Sequence, residues 1–170
     1  MNKIQIIVNN GAGTGSAVAV WKETKEYLQE NGISYNAYLD PFMEKHAVKR
    51  GPGQICGKIP EGPIYLLVVG GDGTINEVLN GITDFDRVRL GVIPTGSGND
   101  FARNLGILRD TREDLQEITA CIDQEQNGEK LQRIDLGKVS WEGCEKQESS
   151  VSVQVPVWMR LYVRRRCIQS

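Results

Sequence analysis

Apolar residues in this chain fall into short continuous runs that alternate with longer stretches of helical spacing. Ile4 to Val8 reads as a buried strand, and the loop Asn9-Asn10-Gly11-Ala12-Gly13-Thr14-Gly15 follows it. Ser16 can then cap a helix in which Ala17, Val20, Trp21, Thr24, Tyr27 and Leu28 repeat on one face. Lys22, Glu23, Lys25, Glu26 and Glu30 take the opposite face, and Asn31-Gly32 ends the helix. Tyr35 to Leu39, Tyr65 to Val69 and Leu90 to Ile93 read as further strands, the last two followed by helices. Thr111 to Ile122 carries Leu115, Ile118, Thr119 and Ile122 at helical spacing behind early acidic residues, which suit the helix dipole. Leu131 to Val139 reads as another strand. Such alternation predicts an α/β fold: a three-layer sandwich with a mainly parallel sheet and helices on both faces.

Chemistry concentrates where strands run into glycine. After Tyr65-Leu66-Leu67-Val68-Val69 come Gly70-Gly71-Asp72-Gly73-Thr74, three glycines around one carboxylate at the start of a helix closed by Gly81. Glycine permits positive φ and removes side chains, so several N–H groups can converge there on an anion. A carboxylate at that point suits a divalent cation bound together with phosphates, or acceptance of a proton during transfer. The loop Pro94-Thr95-Gly96-Ser97-Gly98-Asn99-Asp100 repeats the logic before Phe101-Ala102-Arg103-Asn104-Leu105. In parallel sheets ligands sit beyond the carboxyl ends of the strands, so these loops can surround one ligand. Phosphoryl transfer is the reaction class this predicts.

Each residue also has a plainer role open to it. Asp72 could bond nearby backbone N–H groups as a turn residue, and Thr95 and Ser97 could be turn hydroxyls. Asn76 and Glu77 could be helix surface, and Asn99 and Asp100 could cap the helix at Phe101. The first loop also looks like a dinucleotide-binding turn with Asp40 as ribose acid, but Ser16 stands where that fingerprint needs its third glycine or an alanine.

A length of 170 residues suits a single domain, and the net charge of −2 provides no general attraction for nucleic acid or anionic lipid. Cys56, Cys121, Cys144 and Cys167 have no paired spacing and His46 is the single histidine, which argues against zinc and against a disulfide framework. No run approaches membrane-span or secretory-core length, so a cytoplasmic location is expected.

Taken together, Val8 to Gly13, Gly70 to Val78, Pro94 to Arg103 and Ile134-Asp135-Leu136-Gly137 resemble the diacylglycerol kinase and sphingosine kinase family of lipid kinases, in its bacterial soluble branch. The resemblance runs over residues 1–140 and implies ATP and Mg2+, with the γ-phosphate passing to a lipid hydroxyl such as that of diacylglycerol. By position it assigns Asn9, Gly13, Gly70, Gly71, Gly73 and Thr74 to the nucleotide, with Glu77, Thr95, Gly96, Ser97 and Asn99. Asp72 becomes the catalytic residue and a magnesium ligand, with Asp100 a second candidate ligand. Asn10 stands where the family usually has proline.

The family continues well beyond residue 140 into a β-sandwich domain that would hold the lipid and make any membrane contact. Residues 141–170 match none of it as translated. Read from the third base of each codon, however, Trp158-Met159 forces an aspartate, with Ser-Gly-Thr-Gly-Leu permitted before it and alanine after it. That string resembles the family's next motif and predicts a frameshift near Glu148 to Val151, leaving an N-terminal fragment of little activity. A second, weaker signal of the same kind lies at Asp40 to Gln54, so Asp40 and His46 receive no roles. Alternatives are a relative of NAD kinase, which shares the glycine-aspartate loop, a non-catalytic nucleotide-binding module, and, more distantly, a Rossmann oxidoreductase. The acceptor lipid and the oligomeric state are not legible here.

Overall fold

The computed structural model describes residues 3–9, 16–40, 61–107, 110–126, 133–139, 148–150 and 159–162. In chain order these form β1 (Ile4–Asn9), α1 (Ser16–Glu30), β2 (Tyr35–Asp40), β3 (Ile64–Gly70), α2 (Asp72–Gly81) and β4 (Val88–Pro94). There follow α3 (Asp100–Asn104), α4 (Thr111–Gln126), β5 (Arg133–Val139), β6 (Glu148–Ser150) and β7 (Met159–Tyr162). The strands make one sheet in the order β2-β1-β3-β4-β7-β5-β6.

Strands β1 to β4 are parallel throughout, as the alternation of strand and helix requires. Beyond β4 the sheet changes character. Strand β7 runs parallel to β4 through Arg89 and Tyr162 but antiparallel to β5, and β5 pairs antiparallel with β6. Two short strands from residues 141–170 thus join the sheet. Residues 10–15, 41–60 and 151–158, which include Gly13, His46 and most of both frameshift signals, lie outside the described residues.

Successive residues of β3 serve opposite faces, as the pleat dictates. Leu66 and Val68 pack with Ile75, Val78 and Leu79 of α2 and with Phe101 of α3. Tyr65, Leu67 and Val69 pack with Trp21 and Leu28 of α1 and with Leu115 and Ile122 of α4. The sheet is therefore covered by helices on both faces, which is the expected three-layer α/β sandwich. Strand β3, between β1 and β4, is buried along its whole length.

Helix ends follow local chemistry. Gly32 adopts φ 65°, and the N–H groups of Ile33 and Gly32 donate to Leu28 O at 2.9 Å and Gln29 O at 3.2 Å, so α1 ends as the glycine predicts. Asp110 Oδ1 accepts the Arg112 N–H at 2.8 Å and opens α4, which runs four residues past the expected Ile122. Outer helices α1 and α4 are joined by Tyr27 Oη and Thr119 Oγ1 at 3.2 Å, and by the Arg112 guanidinium, which donates to both oxygens of Glu30 at 3.0 and 3.3 Å. That fork, and the charge behind it, hold the Glu30 carboxyl below its ordinary value.

Candidate active site

Parallel pairing brings the ends of β1, β3 and β4 to one edge of the sheet, with Gly70 opposite Pro94. The loops that leave Gly70 and Pro94 are consequently neighbours, and Thr95 N–H donates to Gly70 O at 3.1 Å. A Cβ built on Gly71 would lie 3.1 Å from Gly96 Cα, and one built on Gly96 would lie 2.9 Å from Gly71 Cα. The two backbones touch because neither residue has a side chain. This corrects one expectation: positive φ is confined to Gly32, Gly62, Gly106 and Asn99 among the described residues, so close approach explains these loop glycines and left-handed backbone does not. Gly70 is similarly closed, since its Cβ would meet the Thr74 side chain at 2.6 Å. Gly73 is exposed and has no heavy atom within 4 Å of such a Cβ.

Asp72 sits in the first turn of α2, one residue after the N-cap Gly71, where the sequence had suggested the middle of a loop. Its carboxylate reaches across to α3, where Oδ2 accepts the Asp100 N–H and Oδ1 the Phe101 N–H, each at 3.0 Å. Capping of α3 was expected from Asn99 or Asp100. Asn99 occupies the N-cap position without any side-chain cap, and Asp72 performs that task from another helix. A Cβ on Gly98 would lie 3.3 Å from Asp72 Oδ2 and 4.0 Å from Asp100 Oδ2, so both carboxylates border Gly98.

Asn9, buried at the end of β1, donates through Nδ2 to Thr74 Oγ1 at 2.9 Å and ties the first strand to α2. Thr95 is buried, and its Oγ1 makes no hydrogen bond among the described residues. Ser16 was expected to cap α1; its Oγ donates instead to Thr95 O at 3.2 Å, which adds a loop contact that sequence reasoning missed. Asn99, at φ 52°, turns its amide onto Gly96: Oδ1 accepts the Gly96 N–H at 2.9 Å and Nδ2 donates to Gly96 O at 2.6 Å. Asn9, Gly70 to Thr74 and Thr95 to Asp100 are thus brought together, with Ser97 and Asp100 exposed and Glu77 half-buried on α2.

The N-cap of α2 is Gly71, which has no side chain to offer the first-turn N–H groups, and nothing lies within 4 Å of a Cβ built on Gly73. With the orphaned Thr95 hydroxyl, that donor set fits a phosphate chain. Among the described residues no three His, Cys, Asp or Glu side chains form a metal-binding group. The carboxylates present fit Mg2+ only as an ion carried by phosphates and met by one or two carboxylates.

An α/β sandwich with two touching glycine loops on the carboxyl edge of its parallel sheet defines a class of ligand-binding domain. The particular family follows from comparison. The description "Diacylglycerol kinase catalytic domain" matches residues 3–139. The chain is 31% identical over 141 residues to a diacylglycerol kinase of Staphylococcus carnosus, covering 81% of this chain and 41% of that protein. It is 47% identical over 76 residues to a diacylglycerol kinase of Bacillus subtilis, covering 44% of this chain and 23% of that one. A crystal structure of a diacylglycerol kinase from Bacillus anthracis superposes with a TM-score of 0.56 at 20% identity, over 88% of this chain and 62% of that one, a likeness of fold. The chain belongs to the diacylglycerol kinase catalytic domain family, as the motifs had implied. It spans less than half the length of these curated relatives. No helix of the described residues is long and apolar enough to cross a membrane.

Proposed function

We propose that this protein acts in transfer of the γ-phosphate of ATP to the hydroxyl of a diacylglycerol-like lipid. The observation that carries the reading is the backbone contact of Gly71 with Gly96, which sets the glycine N-cap of α2 beside the loop Thr95–Asn99. N–H groups of Gly71, Gly73 and Thr74 would hold phosphate oxygens, with Thr95 Oγ1, Gly96 and Ser97 holding others. Asn9 and Glu77 would orient the nucleotide side of the cleft, and Gly13 would complete it from the first loop. Mg2+ bound with ATP would supply charge stabilisation at the transferring phosphoryl group. Asp72 and Asp100 would meet that ion, and Asp72 would also hold the two loops in register. Catalysis on such a site is positioning and charge stabilisation more than covalent chemistry. A cytoplasmic protein that meets its acceptor at a lipid surface agrees with this reading.

Incubation with γ-labelled ATP and Mg2+, in separate arms with diacylglycerol in mixed micelles and with NAD, tests it. Label in phosphatidic acid is the expected result. Label in NADP instead would establish the NAD kinase reading, and ATP binding without transfer to either acceptor would leave a nucleotide-binding module. The same assay measures how much transfer the 170-residue chain supports alone.

A further inference from the structure

Among the described residues, Asn99 is the one non-glycine with positive φ. A residue held in that region by its surroundings is a pointer to function, because the strain persists only where other contacts over-determine it. Here the contacts are explicit. The Asn99 amide accepts from Gly96 N and donates to Gly96 O, so one side chain closes on both polar groups of one residue. Gly96 is also the residue whose Cα lies against Gly71. The amide therefore fixes the second loop at the residue where it meets the first.

We propose that Asn99 is a positioning residue: it acts through Gly96 to hold the Thr95–Ser97 backbone at the spacing from Gly71–Thr74 that a phosphate chain requires, without itself needing to touch the nucleotide. The proposal rests on the nucleotide-binding reading given above. It makes a chemical demand that glutamine, serine or ionised aspartate cannot meet, namely an acceptor and a donor at fixed separation on a two-bond stem. Ionised aspartate would set an oxygen against Gly96 O with no hydrogen between them.

The test uses the full chain with Asn99→Gly and Asn99→Asp, all at a temperature where circular dichroism shows each protein folded, so that lost stability alone leaves affinity unchanged. Asn99→Gly keeps the left-handed backbone without strain and removes only the clamp. Two readouts are taken: hydrogen exchange at the Gly96 amide without nucleotide, and the Kd for Mg-ATP by calorimetry, each compared with wild type at the same pH. Asn99→Gly is expected to lose Gly96 protection and to weaken Mg-ATP binding by about tenfold, the worth of one to two hydrogen bonds. Asn99→Asp should behave likewise at neutral pH, because a carboxylate there has no hydrogen to donate to Gly96 O. Lost protection with unchanged affinity would overturn the proposal. So would weakened affinity with Gly96 still protected, since Asn99 would then be acting on the nucleotide directly. If wild type itself fails to bind Mg-ATP, the nucleotide reading falls and the proposal with it, whereas failure of the variants alone leaves that reading standing.

Discussion

Asp72 Oδ1, on α2, accepts at 3.0 Å the backbone N–H of Phe101, 29 residues further along the chain in α3. With the companion bond from Asp100 N–H to Oδ2, one carboxylate satisfies two of the orphan donors at the start of α3. The acid at the centre of the glycine motif is thus also a fastener between the two loops. Its lone pairs are not exhausted by these bonds, so a structural and a chemical role coexist in one group.

That double role predicts a double loss. Asp72→Ala should lower stability by about 1–3 kcal/mol, as expected for charge-assisted bonds at a helix start, and should abolish phosphoryl transfer. Asp72→Asn keeps an acceptor for one N–H and should recover much of the stability while transfer stays low. Urea unfolding and the labelled-ATP assay, run side by side, check this. Equal recovery of both properties by asparagine would show that the negative charge has no chemical part.

Gly96→Ala should force the two loops apart, because its Cβ would stand 2.9 Å from both Gly71 Cα and Asn99 Oδ1. A cost of about 1–3 kcal/mol is expected from overpacking of this kind, with weaker Mg-ATP binding alongside. Gly73→Ala is the counterpart, since nothing lies within 4 Å of its Cβ. Alanine there should raise stability by up to about 1 kcal/mol through helix propensity, yet weaken Mg-ATP if phosphate approaches that bare backbone. Thermal midpoints and calorimetric titration separate the two effects.

Behind the site, Gly91 lets α4 approach β4. An added Cβ would meet Ile118 and Leu67 side chains at 3.2 Å each. Gly91→Val should therefore destabilise by about 1–3 kcal/mol without a direct effect on the loops. Denaturant midpoints should move while Kd for Mg-ATP in the folded protein stays constant.

The Arg112 fork gives a pH dependence with a definite sign. Its hydrogen bonds lower the folded-state pKa of Glu30 from an ordinary value of 4.5, so the carboxylate binds a proton less readily folded than unfolded. The stabilisation is then fully present above that ordinary value and disappears as pH falls through the lowered one. Both side chains are well exposed, so the effect is small and screened by salt. Comparing Arg112→Gln with wild type by chemical unfolding, the gap should be present at pH ~7 and shrink at pH ~3. A gap that widened in acid would contradict the pairing.

Much of the fold was legible because its signals are local. Gly32 after an amphipathic run, continuous apolar strands, and glycine loops at their ends all report conformations set by a few neighbouring residues. Residues 3–139 carry the family's motifs in order, and the parallel pairing of β1 to β4 agrees with the alternation of strand and helix, while their order in the sheet is a finding of the structure. Less legible was the partner of each polar side chain. Ser16, Asp72 and Asn99 are all plausible caps for their own helices by local rules, yet their bonds go to Thr95, to α3 and to Gly96. The Asn99 bonds stay within one loop, three residues back, but the partners of Ser16 and Asp72 are distant in sequence and become neighbours only after the strands pair.

By itself, then, the amino-acid sequence determined the α/β class, the family, and which loops carry glycine and acid. Only the tertiary structure decided why the glycines are there. Gly71 and Gly96 lie far apart along the chain, and the requirement that neither bear a Cβ arises from parallel pairing that sets Gly70 opposite Pro94. Contact between backbones is a property of two strands held in register, and no single segment contains it.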